Sequence, residues 1–285
     1  MAITVAADLA AGQIAMVDKA RFTYEHIALC ASLFNKMTLG KGEKSKYIPK
    51  FGTVTAVDLT DGVDMADAQT ISITGTTHTT DEAGCKVIVT KKLRNQLKAD
   101  AYAAAGVVIG NAMGRKIDKD GLGLFSGLNS GLGSAGTTFA VGYIAAAVNQ
   151  CIGQAEPVPL PLVCVLHPHT GNDIVTYLAT PGTTNIPPDF QMDVLRNYWR
   201  GNDKLYGVPI LLDGNTPVDS SDDAYGAVFC KLTFVYLVGW EPERWVAYDD
   251  SLRGWEIGIV TDYGMVEEDG TYGRYLLFDA TAPTS

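Results

Sequence analysis

A chain of 285 residues, at roughly 150 per domain, has room for two cores or one elaborated core, which excludes a peptide-sized or disulfide-stapled scaffold. Apolar residues make up 47% and charged residues 19%, with 30 Gly and 12 Pro, a turn-rich globular composition rather than a disordered or collagenous one. The net charge of -10 gives no reason to expect whole-molecule attraction to nucleic acid or to an anionic membrane.

Five scattered cysteines, Cys30, Cys85, Cys151, Cys164 and Cys230, form no C-x-x-C pair, so neither a disulfide framework nor a zinc finger is suggested. A reducing cytosol suits them. The start MAITVAADLA lacks the basic and apolar regions of a secretory signal. The longest uncharged stretch, Gly121 to Ala155, is interrupted throughout by Gly, Ser, Thr, Asn and Gln, so it does not predict a bilayer-spanning helix.

In chain order, HIALCASLFNKM (26–37) has a helical pattern and leads into a basic stretch, Lys36, Lys41, Lys44, Lys46 and Lys50 against Glu43 alone. The sign then reverses. Between Phe51 and Cys85 there is no Lys or Arg, while Asp58, Asp61, Asp64, Asp67, Asp81 and Glu82 all fall in that window. Residues 46–60 and 70–80 mix alternation with β-branched residues around DGVDMADAQ, predicting a hairpin with strands of about 13 residues, roughly 40 Å long. Its strands are rich in Thr and poor in large apolar groups, and an isolated two-stranded ribbon is marginal in water. Such a ribbon must lean on something else.

After the strand CKVIVT, Thr90 is a predicted N-cap, and Leu93, Leu97, Ala101, Ala104, Val108 and Ala112 recur at helical steps until Gly121 supplies a stop. One long helix, about 44 Å, is expected. It opens with Lys91, Lys92, Arg94 and Lys98. Beyond it the sequence predicts a helix in TFAVGYIAAAVNQCIGQA, a strand LVCVLHP, a helix TGNDIVTYLA, a helical stretch FQMDVLRNYWR, a strand GVPILLD and one strand YGAVFCKLTFVYLVG. From Glu241 the chain is strand-like and aromatic, with turns at DDSLRG and EEDGTYG, and is expected to form an antiparallel sheet beneath the long helix. Its aromatics, Trp240, Trp245, Tyr248, Trp255, Tyr263, Tyr272, Tyr275 and Phe278, are expected in the core.

Catalytic signatures are weak. Gly131, Gly133 and Gly136 satisfy G-x-G-x-x-G with Glu156 downstream, but a dinucleotide fingerprint must follow a strand and here follows a long helix, so a flexible connector is the better reading. His167, His169 and Asp173 could be weighed as a metal site, yet a strand running through Pro168 into a helix explains the same residues. Asp118 and Asp120 before Gly121 lack the rest of a calcium loop and read as a helix end. No catalytic residue, cofactor or metal is assigned, and an enzyme is not expected. What stands out is a flimsy acidic ribbon joined to a long helix with a basic start. The reading that reconciles them is intermolecular: Asp58, Asp61, Asp64 and Asp67 of one copy approach Lys91, Lys92, Arg94 and Lys98 of the next, complementary charge setting register more than affinity.

This order of elements resembles the major capsid proteins of tailed bacteriophages with the Hong Kong 97-like fold. The strings that carry the likeness are the hairpin running into DEAGCKVIVTKKLRNQL, the helix ending GNAMGRKIDKDGLGLFSGL, the strand LVCVLHPHTGNDI and the stretch YWRGNDKLYGVPILLDGNTP. The resemblance implies an α+β fold with an N-terminal arm (1–45), an extended β-hairpin loop (46–86), a peripheral domain with the spine helix (87–136), an axial α+β domain (137–232) and a return to the peripheral antiparallel sheet (233–285). It further implies a virion structural protein that self-assembles in the bacterial host cytoplasm as pentamers and hexamers, first as a procapsid and then as an expanded icosahedral capsid around double-stranded DNA held by non-specific proximity only. The expected partners are other copies of the chain, a portal, a separate scaffolding protein, since the fold starts too soon after Met1 for a fused one, and optionally a decoration protein. No membrane is involved. Residues 51–85 contain no Lys, so the isopeptide cross-link of some relatives is not expected. The alternatives are an encapsulin-like nanocompartment shell and a soluble metal-dependent enzyme using the His167/His169 region.

Overall fold

The computed structural model describes residues 29–65, 68–96, 101–179 and 204–283. Asp67, Lys98, most of the arm and the predicted helix FQMDVLRNYWR lie outside them. The chain builds two sheets with a core on each, and a small separate ribbon.

The first core begins with a single helical turn, α1 (Cys30–Leu33), followed by β1 (Asn35–Thr38), so the helical pattern predicted over 26–37 gives way to a strand after Phe34. The ribbon, β2 (Ser45–Phe51) paired antiparallel with β3 (Ile73–Thr79), leads into β4 (Asp81–Thr90). Two helices follow, α2 (Lys91–Gln96) and α3 (Ala101–Gly123). As predicted, Thr90 caps α2, its hydroxyl accepting a bond from Leu93 N at 3.3 Å. Gly121 does not end the helix. A Cβ there would stand 2.7 Å from Cys30 Cβ, so this glycine lets α1 and Phe34 approach the backbone of α3. The buried face of α3 is Ile109, Met113 and Ile117, a run of steps of four, while Val107 and Val108 are exposed, placing the core face one residue away from that predicted through Val108.

Strands β10 (Phe234–Asp249) and β11 (Gly254–Glu267) complete a four-stranded sheet in the order β1-β10-β11-β4. Val89, Ile257, Ile259 and Tyr263 from that sheet form one core with the apolar face of α3, the arrangement predicted for the C-terminal segment. Asp249 shapes the β10–β11 turn by accepting from Ser251 N and Leu252 N.

The second sheet has the order β5-β12-β9-β6-β8-β7, where β5 is Gly131–Gly133, β6 Leu162–Leu166, β7 Lys204–Leu205, β8 Val208–Leu212, β9 Asp223–Cys230 and β12 Gly273–Asp279. Helices α4 (Gly142–Ile152) and α5 (Pro168–Ala179) supply Ile144, Ala147, Cys151, Ile174 and Leu178 to its core. Two expectations are corrected. The single strand predicted over 225–239 is β9 and β10, which lie in different sheets; Lys231–Thr233 makes the crossing, and the buried Thr233 hydroxyl donates to Tyr272 O at 2.9 Å. The segment 233–285 feeds both sheets, because β12 pairs with β9. The Gly131–Gly133 stretch is no flexible connector either: β5 runs parallel to β12, with the Tyr275 ring lying where a side chain on Gly131 would go.

Four phenylalanines lock this crossing. Phe34, Phe125, Phe229 and Phe234 are all essentially buried, with ring centroids between 4.8 and 5.9 Å apart, so α1, the turn after α3, β9 and β10 share one aromatic cluster. Phe234→Ala should cost about 3–5 kcal/mol, read as a lower urea midpoint with unchanged slope, because the cluster cannot collapse into the void.

Candidate inter-subunit surface

The ribbon is shorter than predicted, seven paired residues a side or about 23 Å of ladder. Beyond it Gly52 N donates to Ser72 O at 2.8 Å, Gln69 bridges both backbone groups of Thr55, and a turn closes at Thr60–Val63 with Gly62 at φ +78°. The left-handed backbone explains the glycine. Residues 53–65 and 68–77 are exposed without exception.

What sequence reasoning missed is the character of this surface. Phe51, Val54, Val57, Leu59, Val63, Met65, Ile71 and Ile73 all stand open to water, Leu59 at 67% and Val63 at 66%, so the ribbon is an exposed apolar patch studded with Asp58, Asp61 and Asp64. Soluble monomers rarely leave so many large apolar groups contiguous and uncovered. The apolar residues were in plain sight, but they follow no strand or helix period, so pattern reading discounted them.

The ribbon is held by its own protomer near the outer end of its ladder, where Lys50 faces Thr74. Lys50 Nζ lies 2.6 Å from Asp269 Oδ2 and 2.9 Å from Glu156 Oε2, with its ammonium 5.1 Å from the Tyr272 ring centroid. Burial opposes ionisation of Asp269, but the bonds from Lys50 and Thr271 outweigh it and hold this carboxyl below its ordinary range. At the root of the ladder, where it faces Lys46, His78 is fully buried with neither ring nitrogen hydrogen-bonded, and burial lowers its pKa. A groove of about 720 Å³ opens between α3 and this root, where Tyr263 donates to Asp120 at 2.6 Å and Lys116 pairs with the same carboxylate.

The basic residues sit elsewhere. Lys91 and Lys92 are exposed at the far end of β4, ten residues or about 33 Å from the ribbon root. Arg94 stacks over Trp255 at 4.7 Å within its own protomer, so it is less available as a docking charge than Lys91 and Lys92. Among the described residues neither Asp58, Asp61 and Asp64 nor Lys91 and Lys92 form an ion pair inside the protomer. Among the described residues, no ion pair joins the predicted acidic and basic sets within one copy.

The expected aromatic core is only partly formed. Tyr263 and Phe278 are buried, but Trp240, Trp245 and Tyr248 are exposed, because β1 covers β10 only as far as Val238 and leaves the rest as a sheet edge. The residues weighed for metal or calcium binding all have structural partners: His169 Nδ1 meets Ala280 O at 2.9 Å, His167 Nδ1 accepts from His169 N, Asp173 accepts from Phe139 N, and Asp118 accepts from Leu29 N and Cys30 N.

No protein-family model matches the sequence, and comparison with curated proteins gives no match. Solved structures do share the fold. A chain from Mycobacterium phage Che8 aligns with a TM-score of 0.75 at 17% identity, over 94% of this chain and 97% of that one. A chain from the acidic stable capsid structure of Helicobacter pylori bacteriophage KHP30 gives 0.73 at 10% identity, over 94% and 95%. One from the mature capsid of bacteriophage PhiM1 gives 0.67 at 13%, over 94% and 91%. The chain thus has the Hong Kong 97-like α+β fold of phage capsid structures, over 94% of its length.

The Lys50 contacts make a first test of the surface. Lys50→Met should speed thermolysin cleavage between Phe51 and Ile73 by about three- to tenfold, whereas Lys46→Met, which loses only a bond to Thr38 O, should leave it unchanged.

Proposed function

We propose that this protein is the major capsid protein of a tailed double-stranded DNA phage, a structural subunit that self-assembles as pentamers and hexamers into an icosahedral shell. The observation that carries this reading is the exposed apolar ribbon on a capsid fold: a lone subunit leaves uncovered the very element that a neighbour would bury. In the shell, the ribbon of one copy lies across the helix-and-sheet face of the next, its apolar residues supplying affinity and Asp58, Asp61 and Asp64 meeting Lys91 and Lys92 to set register. Asp67, Arg94 and Lys98 belong to the same proposed contact.

Residues 1–45 act as the arm, 46–86 as the extended loop, 87–136 as the peripheral domain with the spine helix, 137–232 as the axial domain around the capsomer axis, and 233–285 as the return to the peripheral sheet, its last strand β12 completing the second sheet. Assembly is the whole activity and no catalysis is involved. A scaffolding protein, a portal and, where used, a decoration protein complete the partner set, and assembly takes place in the host cytoplasm. The DNA lies against the wall without specific contacts, and a chain of net charge -10 avoids tight adhesion to it.

Lys91→Glu/Lys92→Glu tests the contact, leaving the stacked Arg94 in place. The wild-type chain, expressed with its neighbouring genes, should give closed particles by negative-stain electron microscopy. The double variant should stay folded by circular dichroism and give at least about tenfold fewer particles. Normal particles from the double variant would remove the charge pairing, and a wild-type chain that stays monomeric under every condition would remove the capsid reading.

A further inference from the structure

Asp118 lies in the last turns of α3 and is completely buried. Its Oδ1 accepts from Leu29 N at 2.8 Å and Cys30 N at 3.0 Å, and its Oδ2 accepts from Asn215 Nδ2 at 3.0 Å. Leu29 occupies the N-cap position of α1 and has no side chain able to cap it, so the Asp118 carboxylate does so from 89 residues away. Beside it, in the loop between β8 and β9, stands a second buried carboxyl. Asp213 is 1% exposed; its Oδ1 accepts from Asn215 N at 2.8 Å, and its Oδ2 is buried with no donor at all. A buried, donor-less carboxylate oxygen next to another carboxylate is strongly unfavourable unless it carries a proton.

We propose that Asp118 and Asp213 share one proton, carried on Asp213 Oδ2 and donated to Asp118, and that this pair is a proton-operated latch fixing the root of the N-terminal segment to the end of α3 and to the β8–β9 loop. The donor count decides which residue holds the proton. Asp118 is met by three donors, two on Oδ1 and one on Oδ2, and keeps a lone pair on Oδ2 free to accept a fourth, whereas Asp213 Oδ2 meets no donor and is the atom free to donate. Burial first, and then the bond to Asp118 and its charge, push Asp213 up to about 7, against an ordinary 3.8. The groups facing the pair are few. From α1 comes Cys30, whose thiol burial and Asp118 push up, so that it stays neutral. From the loop comes the neutral Asn215, and on α3 Arg115, Lys116 and Lys119 are exposed, with Lys116 held by Asp120.

The direction with pH follows from linkage. The folded state holds a proton that the unfolded chain releases near 3.8, so the latch's contribution is complete below that value and is lost as pH rises through about 7. Above that, two buried negative charges confront each other and the weakest of the three attachments, the short α1 turn, should release first. The latch is independent of whether the chain builds a shell.

Hydrogen–deuterium exchange of the full chain at Leu29 to Phe34, corrected for intrinsic rates, is the test. Between pH 6 and pH 8.5 protection in the wild type should fall by about tenfold or more. Asp213→Asn keeps the acceptor for Asn215 N and offers a permanent N–H to Asp118, so its protection should stay level across that range. Asp118→Asn places an amide against Asn215 Nδ2 and should lose protection at every pH. Level wild-type protection through pH 8.5, or an Asp213→Asn variant that follows the wild-type slope, would overturn the proposal.

Discussion

A hairpin that cannot bury its own apolar side chains governs this molecule. Beyond a ladder of seven paired residues, every described residue from 53 to 72 is exposed. Eight large apolar side chains cost the isolated chain the free energy that burial would return, at about 25 cal/mol per Å². Two solutions exist: fold the hairpin back onto its own sheet, or cover it with another copy. The Lys50 contacts with Glu156 and Asp269 fix only the paired ladder, which aims the rest of the hairpin without covering it.

The rest of the fold gives that hairpin a rigid base. The cluster of Phe34, Phe125, Phe229 and Phe234 joins the two sheets where the chain passes from β9 to β10, and Asp118 ties α1 to α3 and to Asn215 of the β8–β9 loop by polar bonds. Apolar packing supplies most of the stability there. Buried carboxylates supply a fixed geometry and a sensitivity to pH that a wholly apolar junction would lack.

Much of this was legible in the sequence, and for identifiable reasons. Thr90 as a cap, the long helix over an antiparallel sheet, and the strands β6 and β8 follow from local periodicity and turn chemistry, which act over a few residues. The order of elements was enough to suggest the capsid fold that the solved structures share. The failures are all tertiary. Nothing local distinguishes Val108 from Ile109 as the core residue of α3; the sheet position decides it. The continuous apolar run from Tyr225 to Gly239 hides a change of sheet at Thr233, visible only through its bond to Tyr272 O. Asp118 read as a helix end because its partners, Leu29, Cys30 and Asn215, lie about 90 residues away on either side. The ribbon's apolar groups escaped notice because their burial depends on a second molecule, and a pattern confined to one chain does not encode the neighbour's surface.

The claim that the ribbon is completed by another copy is tested most directly by hydrogen–deuterium exchange over residues 52–72, compared between dilute subunits and assembled particles. The account predicts fast exchange in the subunit and protection higher by about a hundredfold in the particle, as expected when exposed backbone is covered by an interface. Equal protection in both states would contradict it.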